Sequence, residues 1–324
     1  MRHFCTLFDR NYLVKGVAML RSLQRHCPTA QVHVLCMDQG TRDILEALVM
    51  PCITCVSLVE VETPELLAVK PTRSVAEYCW TLSPCLPWYV LQKNPAIDAI
   101  TYIDADLYFY SALQPLFDEI GTASIVIVEH RFPPSLKHLE IRGRFCVQWV
   151  SFRRDDEGLA CLSRWRNQCI DWCFYRLEAE RMGDQKYLDS WPADFRAVHI
   201  LQHIGGGVAP WNFGQYEFWK NGDGLILVDG VPLIFYHFHQ FQILSNGRFN
   251  RISGAYKRLG REPESVYVEY EEVISRTLED VRRIRPGFSA GIKPALQIYA
   301  QSFAQTVFPT LIKEWLKNLL KIFR

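Results

Sequence analysis

Apolar residues recur with two different spacings along the first part of the chain. Short apolar runs at 3–8, 31–37 and 53–59 are typical of strands. Residues 14–26 carry apolar side chains at helical spacing, and a second helix is predicted to end at Met50, with Thr41 as its cap. Strands that alternate with helices predict an α/β fold with a mainly parallel, helix-covered sheet.

The alternation of predicted strands and helices continues to about residue 245. We predict helices from the KPTRSVAEY segment (70–78) to about 93, at 113–120, at 157–181 and from Gly183 to about 191. Strands are predicted at 99–103, 123–129 and 145–152. Two further short strands, separated by a turn at Asp229-Gly230, are predicted within 224–237 and end in the segment YHFH at 236–239. We therefore divide the chain into an α/β domain at 1–245 and a helical C-terminal extension at 246–324.

Two carboxylates, Asp104 and Asp106, follow the predicted strand at 99–103. Strand alternation points both side chains to the same side, so they repel each other unless a cation neutralises them. Mg²⁺ and Mn²⁺ prefer such ligands and suit sites that also hold phosphates. Asp9 also follows a strand, and parallel sheets bind ligands beyond the carboxyl ends of their strands. The sequence therefore predicts a divalent metal site at this edge.

No glycine loop for phosphates is present. The chain has neither G-x-G-x-x-G nor G-x-x-x-x-G-K-[ST], and the glycines at 205–207 lead into Pro210 instead of a helix. Phosphates would thus need a metal. His237 and His239 alternate at a strand end, so either could supply a third metal ligand, against the alternative of two structural histidines.

Three further polar motifs have a structural and a functional interpretation. Lys70 and Arg73 could meet a diphosphate or nucleotide, or belong to a solvated basic turn that Ser74 caps. The acid and amide of GDQK at 183–186 are of a kind that usually caps a helix. The C-x-x-C at 52–55 has no second pair at zinc spacing, so we predict a structural role.

Composition narrows the class of protein. With 324 residues, 49% hydrophobic residues and a net charge of +1, the chain is typical of a soluble globular protein and not of a nucleic-acid binder. The eleven scattered cysteines favour a reducing compartment. We see neither a signal peptide nor eighteen consecutive apolar residues, and we expect a cytoplasmic location.

The last eighteen residues, 307–324, predict a basic amphipathic helix. Lysines recur every four residues at 313, 317 and 321, opposite an apolar face that includes Trp315. Such a helix can lie in an anionic membrane interface, here the inner face of the membrane. The alternatives are packing on the domain or a dimer contact.

Six segments, in this order, resemble the nucleotide-sugar glycosyltransferases of the GT-A fold, most closely glycosyltransferase family eight and its bacterial relatives. They span residues 3–241 and comprise the first strand with Thr6, Asp9 and Tyr12, then KPTRSVAEY, YIDADLYF, GDQKYLD, HIGGGVAPWN and YHFHQF. The D-x-D motif alone is weak, whereas the ordered set is fairly specific.

The resemblance implies that a sugar, expected to be a hexose, moves from a nucleoside-diphosphate donor to an acceptor, with Mn²⁺ or Mg²⁺ at the D-x-D motif. The favoured donor is a UDP-sugar, and the acceptor is a glycan, a lipid-linked molecule or another compound. The metal ligands would be Asp104, Asp106 and His237, with His239 as the rival. By the same resemblance, Thr6, Asp9 and Tyr12 would lie against base and ribose, Arg73 would face the nucleotide or donor sugar, and Asp184 and Gln185 would lie at the donor sugar, near the reacting carbon. Lys70 stays a candidate nucleotide-binding residue on the basis of its charge.

One segment departs from the family pattern. Phe145-Cys146-Val147-Gln148 stands where relatives often carry F-N-x-G, which could change the donor-sugar pocket or the acceptor. Family eight retains anomeric configuration, and we do not extend that to this chain. An alternative is a catalytically silent glycosyltransferase-like protein that binds a glycan or a partner. An aspartate-nucleophile phosphatase is disfavoured because Tyr108 occupies the position of its Thr or Val.

Overall fold

The computed structural model describes residues 1–252 and 256–295. The tail helix predicted at 307–324 therefore lies outside the described residues. In the described part, the strands are β1 Arg2–Phe8, β2 Ala30–Cys36, β3 Ile53–Ser57, β4 Ala99–Ile103, β5 Leu107–Phe109, β6 Ile125–Glu129, β7 Phe145–Arg153, β8 Val198–Ile200, β9 Phe218–Lys220, β10 Ile226–Val228, β11 Val231–Pro232, β12 Phe235–His237, β13 Gln242–Leu244, β14 Phe249–Asn250 and β15 Ile292–Lys293.

Helices cover both faces of the main sheet, which contains seven of these strands. They are α1 Leu13–His26, α2 Gln39–Ala47, α3 Leu58–Val61, α4 Pro64–Val69, α5 Val75–Leu82, α6 Cys85–Lys93, α7 Gln114–Ile120, α8 Asp156–Asp171, α9 Trp191–Asp194 and α10 Glu264–Ile284. Short 3₁₀ turns occupy Lys70–Thr72, Pro134–Arg142, Lys186–Ser190, Phe213–Gln215 and Lys257–Leu259. Among the described residues, no helix combines the length and the apolar character that a membrane crossing requires.

The main sheet has seven strands in the order β3-β2-β1-β4-β7-β6-β8, and β7 alone runs antiparallel to its neighbours. This arrangement confirms the predicted α/β fold with a mainly parallel sheet. The order also places β1 beside β4, so the chain segments after Phe8 and after Ile103 leave the same edge of the sheet. Asp9 and the carboxylate pair begin those two segments.

Two apolar layers fill the faces of the sheet. One layer packs α1 and α10 against strands that include β1 and β2, and the other packs α6 and α8 against the opposite face. Gly16 in α1 lies so close to the sheet that a Cβ atom would come within 2.6 Å of the Phe8 ring. Because no larger side chain fits there, α1 follows β1 tightly and its first turn stays near the strand end.

Several predicted boundaries were wrong. Asp38, not Thr41, caps α2, and its carboxylate accepts a 3.0 Å hydrogen bond from the Thr41 N–H. Helix α8 ends at Asp171 instead of 181, because Trp172 is extended and Cys173 enters the core. The segment predicted as one helix from Gly183 is a 3₁₀ turn followed by the short α9.

The chain beyond residue 245 contacts the sheet domain through α10. Arg21 of α1 donates to Asp280 at 2.6 Å, and the Tyr270 ring stacks on Phe238 with a centroid distance of 3.6 Å. Strand β15 also pairs with β13. The domain boundary at 245 stays a prediction.

Candidate functional site

A two-stranded ribbon brings a histidine to the carboxylate pair. Strand β12 pairs antiparallel with β5 so that His237 lies opposite Leu107, the residue directly after Asp106. The Phe238 N–H donates to the Asp106 carbonyl oxygen at 2.8 Å and secures this register. Backbone pairing, and not side-chain attraction alone, therefore places the imidazole beside the two acids.

The side chains of Asp104, Asp106 and His237 form a compact cluster. His237 Nε2 lies 3.0 Å from Asp106 Oδ1 and 3.8 Å from Asp104 Oδ2. One donor atom from each residue lies within 4.8 Å of the others, and within residues 1–252 and 256–295 no other trio of His, Cys, Asp or Glu does so. Two carboxylates and one imidazole are a donor set that Mn²⁺ and Mg²⁺ accept. The residues present therefore fit a divalent cation.

Burial and charge pull the pKa values of the cluster apart. Burial raises the pKa of Asp104 to about 6, although the nearby His237 opposes the rise. Burial acts in the same direction on Asp106, yet the charge and hydrogen bond of His237 hold its pKa below the usual range. Burial disfavours the imidazolium of His237, but Asp106 overcomes that penalty and raises its pKa. In the metal-free site, His237 thus carries the positive charge that balances Asp106.

The glycine-rich segment at 205–207 packs against the backbone that leads into β12. The N–H groups of Ile234 and Phe235 donate to the Gly205 carbonyl oxygen at 2.8 and 3.1 Å, and the His237 N–H donates to that of Val208 at 2.8 Å. A Cβ atom at Gly205 would come within 2.2 Å of the Pro232 carbonyl oxygen. Glycine is therefore required for close packing, and the segment fixes the backbone of His237.

A buried tryptophan forms the wall beside the histidines. The Trp211 ring makes edge contacts with His237 and His239, at centroid distances of 5.1 and 5.4 Å. The neighbouring Asn212 holds this loop, since its Nδ2 donates to the carbonyl oxygens of His130 and Gly207 at 2.9 and 3.0 Å. His239 lies next to His237 but outside the compact cluster, and burial lowers its pKa to about 4.

The three residues predicted to face the nucleotide lie along β1 and the turn after it. Thr6 is fully buried in β1, and its Oγ1 has no hydrogen-bond partner among the described residues. The Asp9 carboxylate accepts hydrogen bonds from the N–H groups of Asn11 and Tyr12 and so organises the start of α1. Tyr12 is half-exposed, and the negative charge of Asp106, more than burial, raises the pKa of its hydroxyl.

The two predicted basic residues have protein partners. Lys70 pairs with Glu62 at 2.6 Å. Arg73 donates to the carbonyl oxygens of Ile170 and Asp171 at 3.2 and 3.4 Å, and its guanidinium lies 3.8 Å from the centroid of the Phe174 ring. Their contacts with a nucleotide stay a prediction.

Asp184 and Gln185 follow Gly183, whose positive φ of 56° turns the chain toward the site. The Trp165 indole donates to the Asp184 carbonyl oxygen at 2.9 Å, which anchors this turn on α8. Burial, and then the negative charge of Asp104, raises the pKa of the Asp184 carboxyl to about 7. Gln185 Nε2 donates to the Arg142 carbonyl oxygen at 3.0 Å. Asp184 thus lies within electrostatic reach of the metal-ligand cluster.

Lys15 lies near the cluster but was not among the site residues predicted from the sequence. This residue is 9% exposed in the first turn of α1, and its Nζ lies 4.4 Å from the centroid of the Tyr12 ring. Its charge also lowers the pKa of Asp106, after the larger effects of burial and of His237. The available signal was a single lysine inside the otherwise uncharged run LVKGVAML.

The chain is similar to two uncharacterised proteins of Bacillus subtilis. It is 33% identical to YfnD over 308 residues, which covers 94% of this chain and 98% of YfnD. It is 32% identical to YfnF over 294 residues, which covers 88% of this chain and 96% of YfnF. No protein-family model matches the chain.

Among solved structures, the fold is similar to that of the galactosyltransferase LgtC. The complex of LgtC with donor and acceptor sugar analogs matches with a TM-score of 0.52 at 16% identity, covering 85% of this chain and 95% of LgtC. An active-site mutant of LgtC matches with a TM-score of 0.50 at 14% identity, covering 79% and 93%. These matches confirm the predicted GT-A fold. Membership in family eight itself stays a prediction.

The buried Asp184 carboxyl predicts a pH dependence of stability in the metal-free protein. Its folded-state pKa of about 7 lies above the ordinary value of 3.8, so the unfolded state loses the proton first and stability falls as pH rises between these values. The stability of Asp184→Asn relative to the wild type should therefore increase as pH rises from about 4 to about 7, by on the order of 4 kcal/mol. Denaturant unfolding in the presence of a chelator measures this gap.

The exposed Asp223 provides the matched control. Asp223→Asn should follow the wild-type pH profile. Parallel profiles for Asp184→Asn and the wild type would contradict the raised pKa of Asp184.

Proposed function

The chain belongs to the family of Bacillus subtilis YfnD and YfnF, and from that premise and the GT-A fold we propose that it is a metal-dependent glycosyltransferase. It moves a sugar, expected to be a hexose, from a nucleoside-diphosphate donor to a glycan, lipid-linked or other acceptor. The observation that carries the proposal is the compact cluster of Asp104, Asp106 and His237 beyond the carboxyl end of β4. A UDP-sugar is the first donor to test.

Asp104, Asp106 and His237 hold Mn²⁺ or Mg²⁺ in this proposal. The cation, when bound, neutralises the two carboxylates and supplies positive charge to the diphosphate that departs from the donor. The described residues favour His237 over His239 as the third ligand, because His237 alone of the two belongs to the compact cluster.

Asp184 and Gln185 act at the donor sugar. Support for this role is that Asp184 is buried and close enough to Asp104 for their charges to interact. An ionised carboxylate at the donor sugar stabilises the positive charge that develops at the reacting carbon. Gln185 has its amide held by the Arg142 carbonyl oxygen, so its side-chain oxygen stays available to a sugar hydroxyl.

The nucleotide occupies the turn after β1. Tyr12 presents a half-exposed ring beside the cluster, and a ring in that position can stack on a base. Asp9 lies on the turn after β1, on the proposed base and ribose side of the site, whereas Thr6 is fully buried in that strand and would reach the nucleotide only if the neighbouring side chains moved. Lys70 and Arg73 would have to exchange their present partners to reach the nucleotide or donor sugar.

The metal ligands predict a matched set of binding losses. We expect one of UDP-, GDP- or ADP-sugar to bind in calorimetry only when Mn²⁺ is present, and the wild type to hydrolyse that donor slowly. Asp106→Asn and His237→Gln should each weaken Mn²⁺-dependent binding by about 100-fold or more, because each removes a ligand. His239→Gln and the surface control Asp223→Asn should remain within a few fold of the wild type.

Each of three further results would favour one alternative over the proposal. Full activity of Asp106→Asn would show that the central pair has been misassigned. A larger loss for His239→Gln than for His237→Gln would make His239 the ligand. Metal-dependent binding of a nucleotide without any turnover, even with sugar acceptors, would favour the silent, glycan- or partner-binding alternative.

We further propose that the protein works in the cytoplasm and that residues 307–324 attach it to the inner face of the membrane. The proposal rests on the lysines at 313, 317 and 321 opposite an apolar face. Deletion of 307–324 should abolish co-sedimentation with anionic liposomes and leave nucleotide binding unchanged. Equal co-sedimentation of the full chain and the truncated chain would contradict the membrane role.

A further inference from the structure

Lys15 is a buried cation for which the described residues supply no carboxylate partner. The side chain is 9% exposed, and within residues 1–252 and 256–295 no carboxylate oxygen lies within 4.0 Å of its Nζ. The ammonium lies over the face of the Tyr12 ring, 4.4 Å from its centroid. Buried charges in proteins are normally paired, because a charged group that is removed from water without a partner costs free energy.

The ammonium starts from the same edge of the sheet as the metal-ligand cluster, because Lys15 lies in the first turn of α1, shortly after β1, and β1 lies beside β4. Tyr12, whose ring it contacts, is half-exposed and lies within the electrostatic reach of Asp106. Tyr12 follows the turn at the end of β1, and the carboxylate pair follows β4 at the same edge, so Lys15 and Tyr12 lie on the side of the sheet where the metal ligands begin.

We propose that Lys15 binds the diphosphate of the nucleotide-sugar donor; this inference rests on the proposed function. Asp104 and Asp106 together balance a divalent cation, which leaves the negative charges of the diphosphate without a protein partner. The ammonium of Lys15 is a positive group at the same edge of the sheet, in the first turn of α1.

The same position suits Lys15 for the transfer step. When the bond between the anomeric carbon and the β-phosphate oxygen breaks, its electron pair stays on that oxygen, and the acceptor hydroxyl forms the new bond to the anomeric carbon and loses its proton to water. The diphosphate therefore gains negative charge as it leaves. A cation held in a buried, water-poor position stabilises this gain more strongly than one in open solvent.

Binding of UDP, inorganic pyrophosphate and uridine to Lys15→Met tests the role. Each ligand is titrated calorimetrically with Mn²⁺ and with a chelator. With Mn²⁺ present, Lys15→Met should weaken UDP and pyrophosphate binding by about tenfold or more, because a charge-assisted hydrogen bond is lost, and the chelator series measures how much of the binding depends on the metal. Uridine and Mn²⁺ should bind as in the wild type, and Lys15→Arg should recover part of the loss.

Lys93→Met is the matched control, because Lys93 also lies over a tyrosine ring, that of Tyr89, but on the exposed end of α6. It should bind all probes as the wild type does. The metal-free Lys15→Met protein should unfold at the wild-type temperature or above it, because a buried, unpaired ammonium has been replaced by an apolar side chain. A lower unfolding temperature together with weaker uridine binding would indicate a structural role and overturn the proposal.

Two other results separate this inference from the proposed function. If Lys15→Met binds UDP and pyrophosphate as tightly as the wild type while Asp106→Asn does not, Lys15 has no role at the diphosphate and the metal site stands. If the wild type itself binds neither probe with or without Mn²⁺, both the diphosphate role of Lys15 and the proposed function are contradicted.

Discussion

Asp104 lies close enough to both Asp106 and Asp184 for their negative charges to repel, and the rest of the site depends on how this repulsion is balanced. His237 balances Asp106, while the pKa values of Asp104 and Asp184 rise to about 6 and about 7 because both are buried among like charges. A pocket of this kind lowers the stability of the empty protein and favours the binding of cations. Affinity for a metal and a cost in stability thus have the same physical origin.

The fold holds these groups together by backbone pairing. The parallel neighbours β1 and β4 deliver Asp9 and the carboxylate pair to one edge, and the register of β5 with β12 adds His237. The segment at 205–207 then packs against β12 so closely that Gly205 has no room for a side chain. The hydrogen bonds of this frame lie behind the site, so the ligand side chains are positioned before any ligand arrives.

The sequence was sufficient for features that depend on local pattern. Alternating strands and helices predicted the sheet, and the D-x-D at a strand end predicted the carboxylate pair. The hydrogen-bond and ion-pair partners of the two basic residues were not predictable, because tertiary packing determines them. Lys70 pairs with Glu62, and Arg73 donates a hydrogen bond at the end of α8. The overlong prediction for α8 has a similar cause, because burial of Cys173 in the core ends the helix although apolar spacing continues. Lys15 was missed because its apolar neighbours imply only a buried helix.

Anomalous diffraction from crystals grown with Mn²⁺ and UDP tests the central claim most directly. The account predicts one strong manganese peak among the side chains of Asp104, Asp106 and His237, with the diphosphate of UDP beside it. A manganese peak at another site, or UDP bound away from this cluster, would contradict the assignment of the Asp104, Asp106 and His237 cluster as the metal centre of a glycosyltransferase.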